Sequence, residues 1–243
     1  MNEILKRESN IPKGLNGEKI HLEPSVITAF DLNDAWFQCL RTTLLTGHDY
    51  VIDRGSYTGT RRKELDLVVV HVLNPGNRPL SPTVPDGIPA PTSDEYIEDY
   101  LSYLLTSEKK PNEQYTYGEY IEKQMFEVIG MYKRDGFNTN QACIAICDAD
   151  SIKLSDPPCL RQIDTRVRYA EDGKTPKLHF YVYFRSWDLW GGFPTNLGGI
   201  QRMKEFMAGE IGAEDGDLIA MSKGLHLYEY AWDWARVVTR LDS

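Results

Sequence analysis

Apolar positions along the chain change period several times, and each change marks an element. Residues 25–46, SVITAFDLNDAWFQCLRTTLLT, set Ile27, Phe30, Ala35, Phe37, Leu40 and Leu44 close to helical spacing behind Glu23-Pro24, which predicts an amphipathic helix. A turn-rich basic stretch, DRGSYTGTRRKE, leads into LDLVVVHVL, whose β-branched run predicts a strand buried on both faces. Residues 74–93 are proline-rich and form no regular element. They read as a long surface loop inside one domain, because the first 73 residues lack the strands to close a domain alone. From Ser93, SDEYIEDYLSYLLT predicts a capped helix with Tyr96, Ile97, Tyr100, Leu101 and Leu104 at helical spacing, and a second helix is expected over 118–132. ACIAICDA, LHFYVYFRSW and DLIAMSKGLHLYEY then have the apolar density of strands, with a helix, GGIQRMKEFMAGEIGA, between the last two. Helices and strands mix without a βαβ rhythm, so the expected class is α+β rather than a doubly wound sheet.

Composition narrows the function classes. With 243 residues, 41% hydrophobic and 26% charged, the chain suits one globular domain, residues 1–243, whose core needs no staple. The formal charge of -9 disfavours a nucleic acid polymer or an anionic membrane, although a few local arginines can still meet one small anion. Cys39, Cys143, Cys147 and Cys159 show neither zinc spacing nor the density of a secreted scaffold, so a reducing cytoplasm and no metal are expected. No apolar run is long enough to span a membrane.

Three places could carry chemistry. Cys159 follows two prolines that hold it in an extended turn, and Arg161 is a cation close enough in sequence to favour the thiolate; an inert buried cysteine is the plain alternative. In FRSWDLWGGFPTN, Arg185 and Ser186 could bind an anion, while Gly191 and Gly192 let a planar ligand approach the backbone; a surface turn with an ion pair would look the same. In GLHLYEY, His226 and Tyr228 share one strand face and could clamp a sugar hydroxyl or simply be core residues satisfied by their neighbours. The basic turn from Arg54 to Lys63 is a fourth candidate, though most such turns are merely solvated.

Taken together and in order, Pro158-Cys159, Arg185-Ser186-Trp187-Asp188, Gly192-Phe193-Pro194-Thr195-Asn196 and His226-Leu227-Tyr228 resemble the thymidylate synthase family. The resemblance is good from about 157 to 230; upstream, Asp53-Arg54 with the TGT of 58–60 looks like the family's phosphate loop and Tyr117-Gly118 like its Tyr-Gly element. It implies a large twisted mixed sheet flanked by helices, dimerising through the sheet's open face. It implies one-carbon transfer from methylenetetrahydrofolate to C5 of a pyrimidine nucleotide monophosphate, with Cys159 adding to C6 of the ring. Arg185, Ser186 and Arg54 would bind the 5′-phosphate, and Arg185 would also favour the thiolate. His226 and Tyr228 would hold the ribose 3′-hydroxyl, Asp188 would accept from the reduced folate and Gly192 would let its ring lie flat. Asn196 points to a uracil base, because a carboxamide can accept from N3–H and donate to O4 whereas cytosine reverses both groups. Deoxyuridylate to thymidylate is therefore the expected reaction. The rivals are a 5-hydroxymethylase of uridylate or cytidylate substrates, in which water rather than hydride completes the transferred carbon, and a non-catalytic nucleotide binder.

The chain departs from the family pattern twice. Where members supply two consecutive arginines to the partner's phosphate, it reads Asn138-Thr139-Asn140-Gln141, with Lys133 and Arg134 the nearest cations. Where members use a helical glutamate to manage protons, the register gives Tyr100, and Glu98 is the acidic candidate beside it.

Overall fold

The computed structural model describes residues 22–55, 57–111 and 114–241. Among the described residues, ten strands form two sheets. The larger takes β1 (Pro24–Ala29), β4 (Leu67–Val72), β9 (Glu214–Ser222), β7 (Pro176–Phe184), β6 (Leu160–Tyr169) and β5 (Cys143–Ala145), in that spatial order. It is mixed: β1 runs parallel to β4 and β7 to β9, while the other neighbours are antiparallel. The smaller sheet runs β2 (His48–Val51), β3 (Arg61–Leu65), β10 (Leu225–Tyr228), β8 (Trp187–Asp188). Around them pack α1 (Leu32–Thr46), α2 (Asp94–Leu105), α3 (Gly118–Asp135), α4 (Gly192–Ile211) and α5 (Trp232–Thr239). The α+β class, with a large mixed sheet flanked by helices in one domain, is the architecture expected from the sequence.

Strand alternation makes one face of the large sheet the core. Val68, Val70, Val72, Leu178, Phe180, Val182, Leu218 and Ala220 are buried and meet α1 and α4, whereas their neighbours Val69, Tyr181, Tyr183, Ile219 and Met221 are only half-buried on the opposite face.

Four readings need correction. The helix expected over 25–46 is shorter, because Pro24–Ala29 pairs with β4 and the helix starts only behind Asp31, whose carboxylate accepts from Asp34 N–H at 3.0 Å. The β-branched Val26, Ile27 and Thr28 suit that strand. The strand expected over LDLVVVHVL is not buried on both faces. The basic turn ends in a strand, since Arg61–Leu65 forms β3 between β2 and β10. The single strand expected over 217–230 is two, divided at Lys223-Gly224, and the second half leaves the large sheet for the small one. The proline-rich segment is irregular as expected, but it is tied down: Leu80 is buried, and Thr92 shares a hydrogen bond with Thr195 of α4 at 2.8 Å.

Candidate active site

The site lies where the two sheets meet. Cys159 sits just before β6, and its carbonyl accepts the backbone N–H of Arg185 at 2.8 Å, so the thiol turn and the end of β7 are held side by side. The Arg185 guanidinium wraps the turn: Nε donates to Pro158 O at 3.1 Å, and Nη2 donates to Pro157 O and to the Asp156 carboxylate. The carbonyls of the two prolines lie in an irregular turn before β6, and the guanidinium supplies them with donors. Burial pushes the Cys159 thiol above its ordinary value; Arg185 and Arg161 pull it down, and Asp156 opposes them. One Arg161 Nη is buried with no hydrogen-bond partner.

From Arg185 the chain passes through half-buried Ser186 into β8. Trp187 is stacked between Phe184, at 4.1 Å between ring centroids, and Phe193, at 4.5 Å. Its indole N–H donates to Asn196 Oδ1 at 3.0 Å, and Asn196 Nδ2 donates to the Tyr100 hydroxyl at 2.9 Å. The carboxamide of Asn196 is thereby oriented, and it retains one N–H and one lone pair for a ligand. Asp188 accepts from the N–H groups of Gly191 and Gly192 at 3.1 and 2.9 Å, at the start of α4. A Cβ at Gly192 would stand 3.2 Å from Asp188 Cβ and 3.7 Å from Asn196 Oδ1, so the missing side chain keeps the space between these two polar groups open.

β8 pairs in parallel with β10, so Asp188 and His226 are register partners. His226 is 3% exposed; Nδ1 lies 2.9 Å from Gly224 O, and Nε2 is buried without a partner. Burial lowers its pKa to about 4, so the ring is neutral, with Nδ1–H donating to Gly224 and Nε2 free to accept. Tyr228 lies on the same strand face, with its ring 4.8 Å from His226. The antiparallel register continues this face across the small sheet: His226 lies opposite Glu64 and Tyr228 opposite Arg62, and Arg62 Nε donates to Tyr50 Oη at 2.6 Å while its Nη2 pairs with Glu64 at 2.8 Å.

A cluster of tyrosines lies beside these residues. Tyr103 is 5.8, 6.4 and 5.2 Å from Tyr100, Tyr115 and Tyr117, and the Tyr117 hydroxyl accepts the N–H of Leu160, next to the nucleophile candidate, at 3.2 Å. Gly118 is required here, because a Cβ would collide with the backbone of Thr106.

Cys159, Arg185, Ser186, Asp188, Gly192, Asn196, His226 and Tyr228 are thus joined by continuous contacts. Glu98 is not among them. It pairs with Arg202 at 2.7 Å on an exposed face, since residues two apart on a helix point in different directions and Tyr100 takes the inward one. Arg54 is exposed on the β2–β3 loop, whose Tyr57 packs 4.5 Å from the Tyr228 ring. Lys133 and Arg134 are engaged by Glu210 at 2.8 Å and Asp135 at 2.6 Å. The sequence reading included Arg62 only as part of a basic turn and missed Glu64 and Tyr50; the R-x-E alternation of β3 was the available signal, hidden in what looked like a turn. Among the described residues, no cluster of three or more His, Cys, Asp or Glu side chains could hold a metal ion, and no helix is long and apolar enough to cross a membrane.

A cysteine on a clamped turn, an oriented carboxamide and a glycine cradle thus meet at the junction of the two sheets of an α+β protein. The family sequence model described as thymidylate synthase matches residues 115–240, and the chain belongs to that family. This family uses methylenetetrahydrofolate as cosubstrate. Among its relatives, a protein of Methanosarcina acetivorans named "Putative thymidylate synthase" is 28% identical over 225 residues, covering 88% of this chain and 94% of its own. Proteins of the same name from Methanosarcina mazei and Methanopyrus kandleri are 27% and 26% identical, covering 88% and 85% of this chain and 94% of each relative.

Proposed function

We propose that the protein transfers a one-carbon unit to C5 of a uridylate, converting dUMP to dTMP, through a covalent bond between Cys159 and C6 of the ring. The observation that carries this reading is the Asn196 carboxamide. Trp187 and Tyr100 consume one acceptor and one donor, and what remains, one of each, matches N3–H and O4 of uracil.

The other residues take complementary roles. The Cys159 thiolate adds to C6 and makes C5 electron-rich; Arg185 favours that thiolate. Arg185 and Ser186 take the 5′-phosphate, with Arg54 approaching from its loop. The Arg185 pair with Asp156 is no obstacle: Asp156 is 74% exposed, and such a pair is worth about 1 kcal/mol or less, so a phosphate can displace it. The unpartnered His226 Nε2 accepts from the ribose 3′-hydroxyl, with Tyr228 beside it. Asp188 and the Gly192 cradle hold the folate ring, which supplies the carbon and the hydride. Two copies pair through the open face of the large sheet, where Val69, Tyr181, Tyr183, Ile219 and Met221 are half-buried in the single chain.

A second reading, 5-hydroxymethylation on the same scaffold, is favoured by one feature. Residues 138–141 bring no cation, and Lys133 and Arg134 are committed to other carboxylates, so the phosphate is held differently and the substrate need not be deoxyuridylate. Incubation with methylenetetrahydrofolate and each of dUMP, UMP, dCMP and CMP separates the readings. Thymidylate with dihydrofolate supports methylation; a 5-hydroxymethyl nucleotide with tetrahydrofolate replaces it; no turnover leaves a nucleotide binder.

A further inference from the structure

The acceptor side of the reacting ring raises a question that Glu98 does not answer, since it points away. When a thiolate adds to C6 of uracil, the sulfur lone pair forms the S–C6 bond, the C5=C6 pair moves to C5–C4 and the carbonyl pair moves onto O4. The charge on O4 then needs a donor fixed in advance. Among the described residues, one hydroxyl beside Asn196 is placed for this. Tyr100 accepts from Asn196 Nδ2 at 2.9 Å, and an oxygen that accepts there turns its own proton elsewhere; no described residue accepts that proton.

We propose that Tyr100 is a catalytic residue that hydrogen-bonds O4 of the ring and stabilises the enolate formed when Cys159 adds. This rests on the proposed reaction. Two further observations fix the ring in place. Gly199 of α4 lacks the Cβ that would stand 2.8 Å from Tyr100 Cδ1, so the phenol lies directly on the helix that carries Asn196. Tyr103 closes its other side at 5.8 Å. Burial pushes the Tyr100 phenol well above its ordinary range, so it keeps its proton and acts as a donor rather than an acid; nothing is transferred, and the proton stays on Tyr100 through the addition. A carboxylate in its place would be an acceptor and would meet O4 through an intervening proton or water. Tyr100 thus donates directly while holding its proton, whereas an ionised carboxylate would have no proton to give.

The test uses 5-fluoro-dUMP and 5-fluoro-UMP with methylenetetrahydrofolate, reading the covalent adduct on Cys159 by intact mass against time, and nucleotide affinity separately by calorimetry. The expected result is an adduct with the unchanged protein, and adduct formation slowed about 100-fold in Tyr100→Phe, in the range for loss of one oxyanion donor, with Kd within about threefold. A merely structural tyrosine would lower affinity and folded fraction without this split. Gly199→Ala, which keeps the phenol but displaces it, serves as the second variant and should slow the same step. Equal adduct rates in the unchanged protein and Tyr100→Phe overturn the role of Tyr100 and leave the reaction standing. No adduct in the unchanged protein with either nucleotide overturns the reaction itself.

Discussion

Arg185 donates its backbone N–H to the carbonyl of Cys159 at 2.8 Å, and its guanidinium closes over the two carbonyls that precede that cysteine. One residue therefore sets both the position of the thiol and the field it feels. The thiol is buried enough to be held up above its ordinary value, so its reactivity depends on how the nearby charges balance.

Asp156 is the charge that works against the thiolate, and its carboxylate also occupies Arg185 Nη2. Asp156→Asn removes both effects. The Cys159 pKa should fall, so that at pH 8 a larger fraction is thiolate and iodoacetamide alkylates it faster, by roughly two- to fivefold, since screening limits exposed pairs. Phosphate should also bind more tightly. An alkylation rate unchanged across pH 7–10 would mean that Asp156 has no influence on the thiol.

If Asn196 reads the base as proposed, Trp187 should act on substrate choice through a single N–H. Trp187→Phe keeps an aromatic ring between Phe184 and Phe193 but deletes the donor to Asn196 Oδ1. The carboxamide is then free to rotate by 180°, presenting donor and acceptor in reversed order. Affinity for dUMP should drop about tenfold, and the preference for dUMP over dCMP should shrink, as titration of both nucleotides would reveal. Stability should fall by about 1–3 kcal/mol from the volume lost in the core.

Two glycines of α4 should respond in opposite directions to the same change. A Cβ at Gly209 meets nothing within 4 Å, so Gly209→Ala should stabilise the helix by up to about 1 kcal/mol. At Gly199 the new methyl runs into the Tyr100 ring and Leu104, and the clash should outweigh the propensity gain, costing about 1–3 kcal/mol. Urea unfolding of the two variants side by side measures the difference; equal midpoints would contradict the close packing of Tyr100 on α4.

The parts of this fold that bury apolar side chains were the parts legible in the sequence. β4, β7 and β9 announce themselves by β-branched and aromatic runs, and α2 by Ser93 and its apolar stripe. β1 was absorbed into α1 because Ile27 and Phe30 fit a helical period as well as a pleat, and only Asp31 marks the true boundary. β2 and β3 were illegible for a different reason. β2 is exposed along its length and β3 buries only Leu65, so the strands are joined by polar side chains, with Arg62 bonded to both Tyr50 and Glu64, a pairing no hydropathy pattern records. At the site, motif order brought out Cys159, Arg185, Asn196 and His226. Choosing between Glu98 and Tyr100 required knowing which side of α2 meets α4, which depends on Gly198 and Gly199 more than on either candidate.

His226 gives the site a pH signature in stability. Its folded pKa, about 4, lies below the ordinary 6.5, with burial as the main cause. A depressed folded pKa means the unfolded chain takes up the proton first as pH falls, so the stability present above pH 6.5 is lost progressively down to about pH 4. The shift corresponds to a loss on the order of 3 kcal/mol. In His226→Gln the group cannot titrate, and the fall in urea midpoint between pH 6.5 and 4 should be visibly shallower than in the unchanged protein. A saturating nucleotide should steepen the unchanged protein's fall, because a ribose hydroxyl donating to Nε2 holds the ring neutral. Parallel curves for the two proteins without ligand would show that His226 is not the buried neutral acceptor on which sugar binding depends.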